Sequence, residues 1–240
     1  MMLELIQKID RKMGQPDRRP VVLVTCCVVY AVFSLPLYLL LGSIHYAFMP
    51  WNLFLSLLPV AFAYLIRHSV RKKQCALSCV FAILWLFFFP NAPYVITDFV
   101  HIYAFFSRVQ SGRAQDIKTW FDLIYLAMGV LLGTLAGLIS LRLLHGLLIA
   151  HRGRLAGHLA LCAVCLLSGF GIYIGRFLRF NSWDILRPVH LISGVVSQLD
   201  RFALLFTLLI AGYILLTYGL FCLFVKEDFQ RQPPVPPHQP

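Results

Sequence analysis

Charge is what this chain has least of. Of its 240 residues only 13% are charged, and just ten are Asp or Glu. Soluble domains carry about 25% charged residues and about 45–50% apolar ones. A chain that is 60% hydrophobic therefore lies outside that class, and its mean hydropathy of +0.78 agrees. Also missing is any period-two alternation of apolar and polar residues, which excludes a membrane β-barrel. No H-E-x-x-H or G-x-S-x-G string occurs, so no familiar catalytic motif marks an active site. The first apolar run is too long for an ordinary signal-peptide core, and "LLLGSIHYAF" is a poor cleavage site. That run reads as a retained anchor.

What is present is a series of long apolar runs at roughly 21–41, 50–66, 75–96, 121–143, 155–175 and 202–225. Each approaches the ~20 residues a helix needs to cross ~30 Å of hydrocarbon. The expected fold is all-α, a polytopic bundle of about six spanning helices. Residues 21–225 form its membrane domain, with a basic cytoplasmic segment at 1–20 and a proline-rich, disordered cytoplasmic tail at 226–240. Leu3, Ile6, Ile9 and Met13 recur at near-helical spacing, which suggests a short interfacial helix.

The net charge of +11 sits at the ends of the apolar runs. That is a signature of topology and of contact with anionic lipid, not of nucleic-acid binding. Fourteen of the 21 Lys and Arg residues fall on the side of the two termini and seven on the other. Both termini are therefore predicted cytoplasmic. Of the seven cysteines, Cys162 and Cys165 form a C-x-x-C. It lies among Ala, Val and Leu, a setting that disfavours thiolates, so these read as small apolar packers. Gly129, Gly133 and Gly137, and again Gly171 and Gly175, recur every four residues. Such stripes let helices approach closely, within the chain or in an oligomer.

The acids are uneven. Asp98, Asp116, Asp122, Asp184 and Asp200 all fall on the predicted outer face. Each of the neighbouring motifs has a structural explanation. Thr119 and Asp122 in "TWFD", and Asn181 and Asp184 in "NSWD", have capping-box spacing. Trp120 and Trp183 suit an interfacial belt. Arg176 and Arg179 would complement a helix C-terminus. Yet several ionisable groups close to lipid are costly to keep for packing alone, which favours a functional cluster.

"FFFPNAPYVITDFVH", residues 87–101, sharpens that expectation. Phe89 would lie about 21 Å above Cys75, still inside the hydrocarbon. Pro90 should push Phe89 out of helical angles, and Asn91 should cap a new helix with Pro93 in its first turn. On that helix Asn91, Tyr94, Asp98 and His101 would share one face. The reading is a third helix broken at Pro90–Asn91, its positive end at membrane depth, lining protein or a watery cavity. Arg176 and Arg179 are the expected partners of Asp98, Asp122 or Asp184.

Together with "WFDL" at 120–123 and "GRFLRFNSWDIL" at 175–186, this string resembles the bacterial membrane family called domain of unknown function 1361. The resemblance implies a multi-pass protein of a bacterial inner membrane and brings no catalytic residues with it. Three functions stand. One is binding or transport of an anionic or lipid-linked molecule through Asn91, Tyr94, Asp98, His101, Asp122, Arg176, Arg179, Asn181 and Asp184. A second is an outer-leaflet enzyme with a metal on Asp98, His101, Asp122 and Asp184. The third is a structural subunit. The sequence requires no cofactor, and membrane lipids are the expected partners.

Overall fold

The computed structural model describes residues 18–102, 117–178 and 200–225. The N-terminal segment with its expected interfacial helix, residues 103–116, Arg179, Asn181, Asp184 and the proline-rich tail lie outside them. Among the described residues the fold is all-α, with six helical spans long and apolar enough to cross a membrane. Many large apolar side chains remain uncovered by protein, Leu39, Leu40, Leu209 and Phe224 among them. In a soluble protein such surface would be a liability; on a spanning helix it faces lipid.

Helix α1 (Arg19–Leu41) starts with Pro20 in its first turn and stops at Gly42. Gly42 adopts φ 65°, the left-handed conformation that suits glycine, and its N–H closes on the Tyr38 carbonyl. Helix α2 (His45–Arg71) follows after a short turn and contains Pro50 and Pro59. It begins earlier than its apolar run because His45 and Tyr46 are already helical. Helix α3 (Cys75–Phe88) ends at the break. Beyond it come a single turn, α4 (Asn91–Tyr94), and a 3₁₀ segment (Val95–Ile102). Helix α5 (Ile117–Arg152) has 36 residues, about 54 Å of helix. Helix α6 (Arg154–Tyr173) finishes in a π-helical turn (Ile174–Leu178), and α7 (Arg201–Phe224) completes the bundle. Asp200 caps α7, its carboxylate accepting from the Ala203 N–H at 2.8 Å.

α2 and α5 form the centre. The glycine stripe of α5 is spent inside the chain. A Cβ on Gly129 would meet Met49 at 2.7 Å, one on Gly133 would meet Val95 at 2.8 Å, and one on Gly137 would meet Ala92 at 3.0 Å. The stripe thus seats α2 and the broken segment against α5 at close range. In α6 the close approach is made by a different glycine from the stripe. Gly169 lies against the Thr207 carbonyl of α7, where an added Cβ would come within 2.5 Å. Gly171 faces Pro90 at 3.4 Å, and Gly175 meets nothing within 4 Å. Cys165 is buried and Cys162 exposed on the apolar surface, both as free thiols.

Candidate functional site

The break at Pro90 forms by a different route from the expected one. Phe89 keeps helical angles (φ −56°, ψ −39°), and its N–H still reaches the Trp85 carbonyl at 2.7 Å. What fails is the hydrogen-bond ladder. The Ala92 N–H turns to the Phe89 carbonyl at 3.1 Å, which takes it from Phe88, its partner in a regular helix. The Asn91 side chain repairs the loss, Nδ2 donating to the Phe88 carbonyl at 2.9 Å. Asn91 is therefore a stitch within the turn and not an N-cap. The Ala92 and Tyr94 N–H groups are already bonded to the Phe89 and Pro90 carbonyls, and the turn is only four residues long. Ser56 secures the turn to α2. Its hydroxyl lies 2.7 Å from the Asn52 carbonyl and 3.2 Å from that of Asn91.

The single polar face also divides. A 3₁₀ helix turns every three residues, so positions three apart align in a row. Val95, Asp98 and His101 make one row, Tyr94 and Thr97 another. In the first row Val95 and Asp98 face the centre, while His101 is exposed at its end. Val95 fits over Gly133, Asp98 accepts from Asn52 Nδ2 at 2.8 Å, and His101 lies against Phe48 with ring centres 5.1 Å apart. The second row meets Arg176. Its guanidinium donates to the Tyr94 hydroxyl at 3.2 Å and to the Thr97 carbonyl at 3.3 Å, above the Tyr94 ring. Arg176 Nη1 also faces Asp98 Oδ1 at 3.9 Å, so the guanidinium touches both rows. It leaves its own helix's carbonyls alone, unlike a cation capping a C-terminus. The π turn carries it there, and such turns are frequent at functional sites.

Burial within this pair is unequal. The Asp98 side chain is 3% exposed and that of Arg176 22%. The pair consequently shows its cation outward while the carboxylate is held inside by an amide.

Asp122 belongs to a second network. Thr119 lies two residues inside α5, so the expected capping box does not form. Instead the Asp122 carboxylate accepts from the Tyr46 hydroxyl, with His45 Nε2 at 3.4 Å and Lys118 Nζ at 3.6 Å. Beneath it Tyr125 stacks on Tyr30 at 4.7 Å and meets Tyr46 edge-on at 4.8 Å. Ser34 and the Tyr125 hydroxyl are 2.7 Å apart. Asn52 sits six positions beyond Tyr46 on α2, so Asp98 lies roughly 9 Å deeper than Asp122. The two networks share an end of the bundle, with Met49, Val95 and Val130 among the apolar residues there. Among the described residues, no three His, Cys, Asp or Glu side chains gather closely enough to share a metal ion. Asp98, His101 and Asp122 thus do not by themselves gather as a metal set, and Asp184, its fourth expected member, lies outside the described residues.

Asn52, His45, Tyr46 and Lys118 are site residues that pattern reading missed. Asn52 did leave a signal, as a lone amide at the start of an apolar run.

A family model matches residues 51–217, more than half of the chain. The chain belongs to the family described as Protein of unknown function (DUF1361). The matched span contains Asn52, the broken helix, Asp122 and Arg176, and begins just after His45 and Tyr46. Comparison with curated proteins and with solved structures gives no significant match.

Proposed function

We propose that this multi-pass membrane protein binds, and moves or presents, an anionic or lipid-linked small molecule at the outer face of a bacterial cytoplasmic membrane. One observation carries the reading. Among the described residues, two segments that depart from α geometry, the 3₁₀ segment and the π turn, meet at Asp98 and Arg176. Irregular backbone at membrane depth is tolerated where protein or a watery cavity receives it, and transporters use it at substrate sites. The buried carboxylate and the part-exposed guanidinium suit an anion, since Arg can take a carboxylate or phosphate through two parallel bonds. A ligand anion competes with Asp98 for Arg176, and their 3.9 Å separation, longer than a hydrogen bond, favours exchange.

The Lys and Arg distribution supports an orientation with both termini, and hence the 1–20 and 226–240 segments, in the cytoplasm. A reporter inserted within 107–118 is expected to be active only in an extracytoplasmic position. Lipids and small anions co-purifying with the wild-type protein and with Arg176→Ala, identified by mass spectrometry, test the binding. An anion retained by the wild type and lost from the variant supports the proposal. Identical contents, with both proteins folded, overturn it.

A further inference from the structure

We infer that the end of the bundle opposite Asp98 holds a second site, in which His145 and His158 bind a divalent late first-row metal ion such as Zn²⁺, Ni²⁺ or Cu²⁺. His145 lies on α5, 23 residues beyond Asp122 and roughly 35 Å from it. His158 lies on α6, across the short turn at Gly153. The two imidazole centres are 5.1 Å apart and their planes are inclined at 58°.

That separation is compatible with a shared ion. Histidine nitrogens bind zinc at about 2.0–2.1 Å in tetrahedral geometry, which puts the centres of two ligating rings about 5 Å apart. Packed rings also occur at this distance, as Phe48 and His101 do, so the weight of the inference falls on the state of His145. His145 is also prepared for the role. Its Nδ1 lies 2.7 Å from the Tyr218 hydroxyl of α7, and its Nε2 is buried without a hydrogen-bond partner. With the proton on Nδ1, donated to Tyr218, the lone pair sits on Nε2. A ligating histidine is commonly fixed by a hydrogen bond of this kind on its second nitrogen. A buried, unpartnered polar atom is otherwise costly, and an ion that accepts its lone pair removes that cost.

His158 is exposed and brings access from the surface. Two protein ligands leave coordination positions for water or an incoming group, so the site suits an exchangeable ion more than a permanent structural one. Imidazole ligands favour Zn²⁺, Cu²⁺ and Ni²⁺ over Mg²⁺ or Ca²⁺. Cysteine pairs are the obvious competitors for such ions, and Cys75 and Cys79 are both exposed, one helical turn apart on α3.

The test titrates Co²⁺ alone into the full-length protein, carrying no polyhistidine tag, in detergent. Visible absorption follows the coordination, and Zn²⁺ is then added to displace the ion. One equivalent with the spectrum of a nitrogen-ligated, low-coordinate Co²⁺ is expected. His145→Gln and His158→Gln should each weaken binding by at least about 10-fold, and Tyr218→Phe by about 10-fold through lost orientation. The Cys75→Ser/Cys79→Ser variant should bind as the wild type does. His158 is exposed, so its variant is expected to fold even if that of His145 does not, and circular dichroism checks both. The site is overturned if His158→Gln binds within about threefold of the wild type. It is equally overturned if the signal disappears with the cysteines or if the wild type fails to bind at millimolar Co²⁺.

Discussion

Arg176 Nη1 faces Asp98 Oδ1 at 3.9 Å, a distance that leaves the pair in Coulombic contact without a hydrogen bond. The carboxylate keeps its short bond for Asn52. Removing one partner of a buried pair is far more damaging than removing both, because it strands a charge; central values are about 3–5 kcal/mol. Arg176 is partly exposed, so the lower part of that range applies. Arg176→Gln is expected to reduce thermal stability and membrane accumulation, and Asp98→Asn in the same chain to restore much of the loss. A double-mutant cycle measured by thermal melting in detergent checks this. Additive losses would show that the two side chains do not interact.

The Asn91 amide substitutes for a missing backbone donor in the broken helix. Asn91→Leu keeps the bulk and leaves the Phe88 carbonyl without a donor. A stability loss of about 1–3 kcal/mol is expected from that unsatisfied group. Asn91→Asp should fare no better, since an ionised carboxylate cannot donate. Equal melting temperatures for wild type and Asn91→Leu would show that the stitch contributes nothing.

Gly133 and Gly169 should respond differently to the same methyl group. At Gly133 the clash is with Val95 Cγ2 at 2.8 Å, a side chain that can be shortened. Gly133→Ala should cost about 1–3 kcal/mol, and Val95→Ala should recover part of it. At Gly169 the obstacle is the Thr207 carbonyl at 2.5 Å, which is backbone, so α6 and α7 must separate. Gly169→Ala is therefore predicted to be the most harmful of the glycine variants and Gly175→Ala the mildest. Folded yield across the series checks the order.

Tyr46 and Asp122 tie the start of α2 to α5. Hydrogen bonds to a charged group contribute about 1.5–3 kcal/mol. Tyr46→Phe should fall within or below that range, because Lys118 and His45 still face the carboxylate. Asp122→Asn should cost less than Asp122→Leu, which leaves the phenol unpaired. Melting temperatures of the three variants rank them.

The six spans were legible because each is a long apolar run, and burial in lipid needs nothing more subtle. The place of the break was legible too, since Pro90 removes a donor whatever surrounds it. Its form was not. Whether Phe89 leaves helical angles or only its ladder shifts depends on which donor reaches which carbonyl, and Asn91 decides that through one side-chain bond. The 3₁₀ winding of Val95–Ile102 is set by contact, with Val95 lodged over Gly133 and Asp98 drawn to Asn52. Periodicity in the segment itself carries no trace of either partner. Asn52 pairs with Asp98 across 46 residues and Tyr46 with Asp122 across 76, and such pairs follow from the register of packed helices. Arg176 was singled out as a cation near acids, but its route to Tyr94 and Thr97 runs through a π turn that no local pattern announces.

Helix α5 has a mechanical consequence through its length. Hiding 54 Å of helix inside ~30 Å of hydrocarbon would demand a lean of about 56°, beyond the 0–40° that spanning helices adopt. Even at a 40° lean, roughly 15 Å of it must therefore stand clear of the oily layer. With Arg142, His145, His151 and Arg152 gathered there, the C-terminal end of α5 would project like a post with α6 descending beside it. Any partner or ion approaching from that side meets this post before it meets the membrane.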